Sequence, residues 1–532
     1  MRKKLMIALT GLSTLGAVPA AAETATHYNL TVEVRPGLHS IRVYGSWSVP
    51  ATEVVADLGQ NPGEKHFRFL SSEKLHEFRL SIAGSAVSTK CRPFEGQLEC
   101  LVSFKAETKP EYTFEISYVS DGKAAPQLRI DADQAFAGSS GDYWYPQLSY
   151  AKGDTGEIRF VVPKNFTVVA PGRLIRQSAE GDVSEFSYRL VTPTKFGFAA
   201  APFHIYDRGL CKLYLQREEP RAAHIADECA RTALALSHIW GPLPGGDIKL
   251  VEVAFKSVLL GIGERGYILA DSSEIHRDFD ISYWAHEISH QWWGNLVRAA
   301  YPSPGGTLLT EGMAEFGALS ANRDLNGKDG EAYYLSDHYA REANGAPMYH
   351  FMTVIARHED IALTAMPQGA DASALHYVAT SKGTMAIDML SNEVGASRFR
   401  TICSEFLKTH ANKSVTWAEF EAFVERRSGK VLGWFFAQWF DRPGLPFLYS
   451  TWTKHGDGID ITLHQCGPQH YRMDRFPFLL RSENEKGDLE SRVVFGDVSG
   501  IQTTFHVQTK SDIYRVNPDP DHTFFWMPGI CG

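Results

Sequence analysis

The 532-residue sequence has no Cys-x-x-Cys pair, no basic excess, no internal repeat, no low-complexity linker and, beyond Val18, no long apolar run. Each absence narrows the possibilities. Without cysteines at metal-ligand spacing, a cysteine-ligated zinc module is not expected. With 62 acidic residues against 53 basic ones, the chain lacks the positive charge by which proteins hold nucleic acid, and no such partner is expected. Lacking a second apolar stretch, it should have no membrane anchor once an N-terminal signal has been removed. With neither repeats nor linkers, its domains should pack closely.

The composition that remains is 44% hydrophobic and 22% charged, as in folded protein. The length exceeds what one core supports, so two to four domains are expected. Arg2, Lys3 and Lys4 precede an apolar stretch from Leu5 to Val18, followed by Ala20-Ala21-Ala22. This is the pattern of an export signal over residues 1–22, cleaved after Ala22, and it predicts a periplasmic or extracellular protein.

Seven cysteines follow, in a compartment where disulfides persist, and the odd number leaves at least one unpaired. Cys91 and Cys100 are symmetric about Glu95-Gly96, so a hairpin there would set their sulfurs across from each other. Cys211 with Cys229 and Cys466 with Cys531 are further candidate pairs. Cys403 sits in a helical pattern and reads as a small buried hydrophobe.

Residues 23–206 alternate in hydrophobicity, as in Tyr28, Leu30, Val32 and Val34, and read as an all-β domain. The period then turns helical. Ala222 to Trp240 puts Ile225, Cys229, Ala233, Leu236 and Trp240 on one face, and a strand is expected from Ile248 to Phe255. Residues 207–446 thus read as a mixed α/β to mainly helical domain. Alternation returns at Ile459, Ile461 and Leu463, which predicts a small β domain over 447–532.

His286-Glu287-Ile288-Ser289-His290 lies in a helical pattern starting near Asp280, a good N-cap, and ending near Gly294. A separation of four stacks the two imidazoles one turn apart, within reach of one ion, with Glu287 beside them. The alternative is a polar helix face with two solvated histidines. A catalytic zinc needs a third protein ligand and an open position for water. Glu311 in Thr310-Glu311-Gly312-Met313-Ala314-Glu315-Phe316 can supply the ligand. Glu315, four residues on, can accept the free ring N–H of a ligating histidine or remain a solvated helix carboxylate.

His286 to Asn295, read as HEISHQWWGN, and Thr310 to Phe316, read as TEGMAEF, resemble the paired zinc signatures of the aminopeptidase N family of gluzincin metallopeptidases. Further segments resemble the same family: Lys382-Gly383 with Met385 to Leu390, Phe435 to Trp439 with Gly444 and Pro446, and Phe196 to Phe203. The resemblance implies a saddle-shaped N-terminal β domain, a thermolysin-like catalytic domain and a C-terminal β-sandwich, with the chain ending before the helical fourth domain of many relatives. It implies one zinc ion on His286, His290 and Glu311, a peptide substrate, and Glu287 as the group that activates water.

Gly261-Ile262-Gly263-Glu264-Arg265 resembles the family's G-x-M-E-N exopeptidase motif, with Gly261, Gly263 and Glu264 as substrate-binding positions and Glu264 as receptor of the peptide α-ammonium. Gly263 and Arg265 depart from it. Arg265 places a positive charge beside the ammonium site unless it turns away or pairs with an acid. The 20 residues between His290 and Glu311, containing Pro302, Pro304, Gly305 and Gly306, exceed the family spacing by about two. Thr380 stands where the family has the tyrosine that steadies the oxyanion, and Tyr377, one turn earlier, is the nearest phenol to nominate, with a packing role as its alternative. The family's acidic β-domain motif is reduced to Asp142-Tyr143-Trp144-Tyr145-Pro146, so contacts from that domain do not carry over. The expected activity is that of a zinc aminopeptidase; a zinc endopeptidase, a hydrolase of modified peptides and a catalytically impaired peptide-binding relative are the alternatives.

Overall fold

The computed structural model describes residues 25–56, 63–94, 97–122, 128–139, 143–148, 153–255, 260–300, 303–332, 334–335, 360–366, 378–483 and 488–529. The signal segment, Asp142, Tyr377 and Cys531 lie outside them.

The first part is all-β. An eight-stranded sheet is built on Thr26–Arg35, which pairs antiparallel with Ser40–Pro50 and parallel with Asp154–Pro163. Its alternation is that of the sequence: Tyr28, Leu30, Val32 and Val34 are buried while their neighbours are not. A second sheet carries the hairpin Ser88–Phe94 with Gln97–Lys105, where Cys91 faces Cys100 in register and the two form a disulfide. A small four-stranded sheet, Leu128–Ile130, Ala135–Ala137, Phe198–Ala201 and Thr167–Val169, turns toward the helical part.

There it meets a five-stranded sheet in the order His204–Arg208, Cys211–Leu215, Ile248–Val253, Tyr267–Asp271 and Gly261–Glu264. His204–Arg208 pairs with Cys211–Leu215, so this sheet begins just before the boundary expected after Tyr206. Phe136, Val169 and Ala199 from the small sheet pack with Val251, Val253, Tyr267 and Leu269 from the five-stranded one and with Phe255 just beyond its central strand. Polar contacts fasten the seam: Gln134 Oε1 accepts from Ala254 N at 3.1 Å, and Arg129 donates to Ala254 O at 2.5 Å.

Helices cover the five-stranded sheet. Ala222–Trp240 buries Ile225, Cys229, Ala233, Leu236 and Trp240, the face its 3.6-residue period specifies. The Cys211–Cys229 disulfide ties this helix to the sheet. Cys403 is buried and unbonded in the helix Ala396–Thr409.

The third part holds two β-sheets whose inner residues, among them Ile459, Ile461, Leu463, Phe478 and Leu480, join the core of the helical part. Gln438 locks that junction, donating to Arg472 O at 2.8 Å and accepting from Arg472 N at 2.7 Å. Cys466 is disulfide-bonded. No described helix is long and apolar enough to cross a membrane.

Candidate metal centre and the adjoining edge strand

The helix Ile281–Ser289 begins where Asp280 Oδ1 accepts from Ser282 N at 2.9 Å, satisfying one of the free amides of the first turn. Trp284, Ala285 and Ile288 are buried against the core, which leaves His286 and His290 on the opposite edge. The regular helix stops at Ser289, earlier than the sequence suggested, and His290 is its C-cap. The backbone then turns to Gly294, whose φ of +115° favours glycine.

Glu311 lies in a π-helical turn, Leu308–Gly312, that leads into the helix Met313–Ala332, itself broken at Gly327. A second π-helical turn, Ala379–Gly383, packs beside it. Gly312 and Gly383 make the fit possible: a Cβ on either would come within 2.7 or 2.8 Å of Leu308 Cδ1. Such wide turns recur at functional sites. Here the pair brings Thr380 close to the turn bearing Glu311.

Three ligand atoms converge. His286 Nε2 is 3.2 Å from His290 Nε2 and 3.4 Å from Glu311 Oε2, while His290 Nε2 is 3.7 Å from Glu311 Oε2. Tetrahedral zinc with bonds of about 2.0–2.1 Å places its ligand atoms about 3.4 Å apart, so this triangle fits that ion. The opposite ring nitrogens are engaged. His286 Nδ1 lies 2.7 Å from Glu315 Oε2, and His290 Nδ1 lies 3.0 Å from Trp293 O. A ring that donates from Nδ1 presents its Nε2 lone pair to the ion. Tyr334 in turn donates to Glu315 Oε1 at 2.5 Å. Glu287 is buried beside the triangle, and that burial pushes its carboxyl pKa up.

The edge strand Gly261–Glu264 lies against the His286 helix. A Cβ on Gly263 would stand 2.7 Å from His290 Cβ, and one on Gly261 would stand 2.6 Å from Glu287 Oε1 and 2.5 Å from the Tyr283 hydroxyl. Both glycines are therefore needed for this close approach. Asn295 ties the elements together, donating to Gly263 O at 2.8 Å and His290 O at 2.9 Å. Gln291 holds the following residues, donating to Glu264 O and accepting from Gly266 N, both at 2.7 Å.

Glu264 is 4% exposed, and its Oε1 accepts from the backbone N of Ser139 at 2.5 Å. Burial pushes its pKa up to about 7 against the lowering effect of the Ser139 bonds. Arg265 turns away. It donates to Asn412 Oδ1 at 2.9 Å and Asn295 O at 3.3 Å.

The sequence nominated none of Ser139, Tyr334, Gln291, Asn295 and Asn412 for these contacts. Gln291 and Asn295 do lie in the HEISHQWWGN segment; the others carry no local signal. Trp144 and Tyr145 belong to the β core, donating to Phe196 O at 2.8 Å and Asp154 Oδ2 at 2.7 Å. The β-domain contact to Glu264 comes instead from Ser139.

Residues 257–439 match the family model described as the Peptidase family M1 domain. The chain is 26% identical to the glutamyl aminopeptidase of Bos taurus over 168 residues, covering 31% of this chain and 16% of that protein. It is also 26% identical to a probable aminopeptidase 2 of Sulfurisphaera tokodaii over 277 residues, covering 51% of this chain and 32% of that protein. Among solved structures it shares the fold of an M1 zinc metallopeptidase mutant from Deinococcus radiodurans bound to a Tyr-Ser-Ala substrate. The TM-score is 0.59 at 16% identity, covering 80% of this chain and 96% of that one.

Proposed function

On the premise that this chain belongs to peptidase family M1 through residues 257–439, we propose that it is an exported zinc aminopeptidase that removes N-terminal residues from peptides. The observation that carries this reading is the convergence of His286, His290 and Glu311 beside buried Glu287, with Glu264 on the adjoining strand. Bound there, zinc would supply Lewis-acid chemistry, polarising the scissile carbonyl and making a water easier to deprotonate.

The chain's own groups do the rest. Glu287 accepts the proton of the attacking water and later delivers it to the leaving amine. Glu315 and Trp293 O keep the imidazoles in the tautomer that ligates. Glu264, deprotonated, receives the α-ammonium of the substrate and fixes the first peptide bond at the metal. Arg265 does not oppose this, because its guanidinium is spent on Asn412 and Asn295. Tyr377, three residues before Thr380 in the sequence, is assigned the stabilisation of the oxyanion. Export rests on the N-terminal pattern and on the disulfides Cys91–Cys100 and Cys211–Cys229.

The test uses purified, zinc-loaded protein with matched peptides bearing a free or an acetylated N-terminus. Cleavage of only the free form, lost on chelation and regained with zinc, is the expected outcome. Equal cleavage of both forms would make it an endopeptidase, and no cleavage of either would make it a binding protein.

A further inference from the structure

A second group of metal-ligating side chains lies in the C-terminal β part, outside the site described above. The strands Phe447–His455, Gly458–Gln465 and Gln502–Gln508 are consecutive neighbours in one sheet and pair antiparallel. Asp460 stands opposite His506 on one side and Thr453 on the other. Strand alternation then puts His455, two residues beyond Thr453, on the same face as Asp460 and His506. Lys454 points from the other face and pairs with Asp512.

The strands close tightly at this end. Gly456 turns the hairpin with φ +59°, and a Cβ on Gly458 would meet Val507 O at 2.1 Å. Nδ1 of both imidazoles faces one carboxylate: His455 Nδ1 is 3.1 Å from Asp460 Oδ2, and His506 Nδ1 is 2.7 Å from Asp460 Oδ1. One ligand atom from each of the three residues lies within 4.8 Å of the other two. On the far side of the His506 ring, Nε2 is 3.2 Å from Asp457 Oδ1, and Gln508 donates to Asp457 Oδ2 at 2.9 Å.

We propose that His455, Asp460 and His506 form a second, surface site for a late first-row divalent metal ion, of which zinc is one. The donor set decides the class. Two imidazoles and a carboxylate suit zinc, copper or nickel, whereas calcium and magnesium take oxygen ligands. With neutral imidazoles the two aspartates leave a local charge that a dication cancels. Asp457 accepts the Nε2 proton of His506 and so turns Nδ1 toward the ion, as Glu315 does in reverse sense for His286. Three protein ligands on an open surface leave coordination positions to solvent, so this ion exchanges readily.

Zinc itself is the probe. Titrating the full chain, already carrying one zinc equivalent, should show one further equivalent by calorimetry. The double variant His455→Ala/His506→Ala should lose that equivalent while keeping hydrolytic activity and melting temperature. Asp457→Asn should weaken it about tenfold. The variant His286→Ala/His290→Ala should lose the other equivalent and keep this one, which separates failure of this site from failure of the catalytic reading. A wild-type chain that takes up no second equivalent, or a second equivalent that survives in the double variant, overturns the proposal and leaves only imidazole–carboxylate ion pairs.

Discussion

The helix Ile281–Ser289 and the edge strand Gly261–Glu264 touch along their lengths but are specified in opposite ways. On the helix, two ligands and the carboxylate between them are fixed by chain geometry, since residues four apart share a face. On the strand, the Glu264 side chain takes its hydrogen bond from Ser139, 125 residues away, and Arg265 is anchored by Asn412, 147 residues on, as well as by Asn295. The two histidines proposed to hold the metal are thus set by local spacing, whereas the proposed receptor of a peptide's N-terminus is assembled by tertiary packing. Substitutions in the two elements should therefore fail differently.

The largest expected effect separates chemistry from metal binding on the helix itself. Glu287→Gln should keep zinc, measured by elemental analysis, while kcat/KM drops about a hundred- to ten-thousandfold. Loss of zinc along with activity would mean that Glu287 holds the metal site together, which breaks the division of roles.

Glu264→Gln comes next and should leave zinc untouched. Losing a charge-assisted contact of about 1.5–3 kcal/mol should lower kcat/KM for free peptides about ten- to a hundredfold, mainly through KM. Its stability effect has the opposite sign. Because the folded-state pKa of Glu264 is raised from 4.5 to about 7, its stabilising share is full below 4.5 and is lost as pH rises through 7. Glu264→Gln should therefore melt higher than wild type at pH 8, by up to about 3 kcal/mol in stability, with the gap closing toward pH 4. In the same way, KM of the wild type should rise as pH falls below 7 and Glu264 takes up its proton. A variant that melts lower at pH 8 would contradict a carboxylate whose burial outweighs its bonds to Ser139.

Glu315→Gln tests whether the helix needs help from outside. It should weaken zinc about ten- to a hundredfold in competition with a chelator, and Tyr334→Phe should act in the same direction but less. The smallest change is expected from Arg265→Asn. It removes the anchor on Asn412, and a fewfold rise in KM with unchanged kcat and zinc content would mark Arg265 as a positioning residue.

The same contrast explains what the sequence discloses. His286, His290 and the Ala222–Trp240 helix are legible because spacing alone sets which way their side chains face. Cys91 with Cys100 is legible because a hairpin has one symmetric register. Glu311 and Glu315 needed a family-like segment, since nothing in their own spacing says that a π-helical turn will swing the first of them to the histidines. Tyr334 and Ser139 carry no signal at all; each matters only because folding brings it to a carboxylate. The early end of the His286 helix was hidden for a related reason, as apolar residues continue past Ser289 into Trp292 and Trp293, both buried although the regular helix has ended.

The amide of Ser139 reaches Glu264 across the seam between the β half and the helical half, so a carboxylate of one half depends on the backbone of the other. All three residues of the candidate metal triangle lie in the helical half. Only docking of the β half completes the environment of Glu264. A fragment trimmed of its first 200 residues would keep the residues of that triangle but lose the amide from which Glu264 Oε1 accepts.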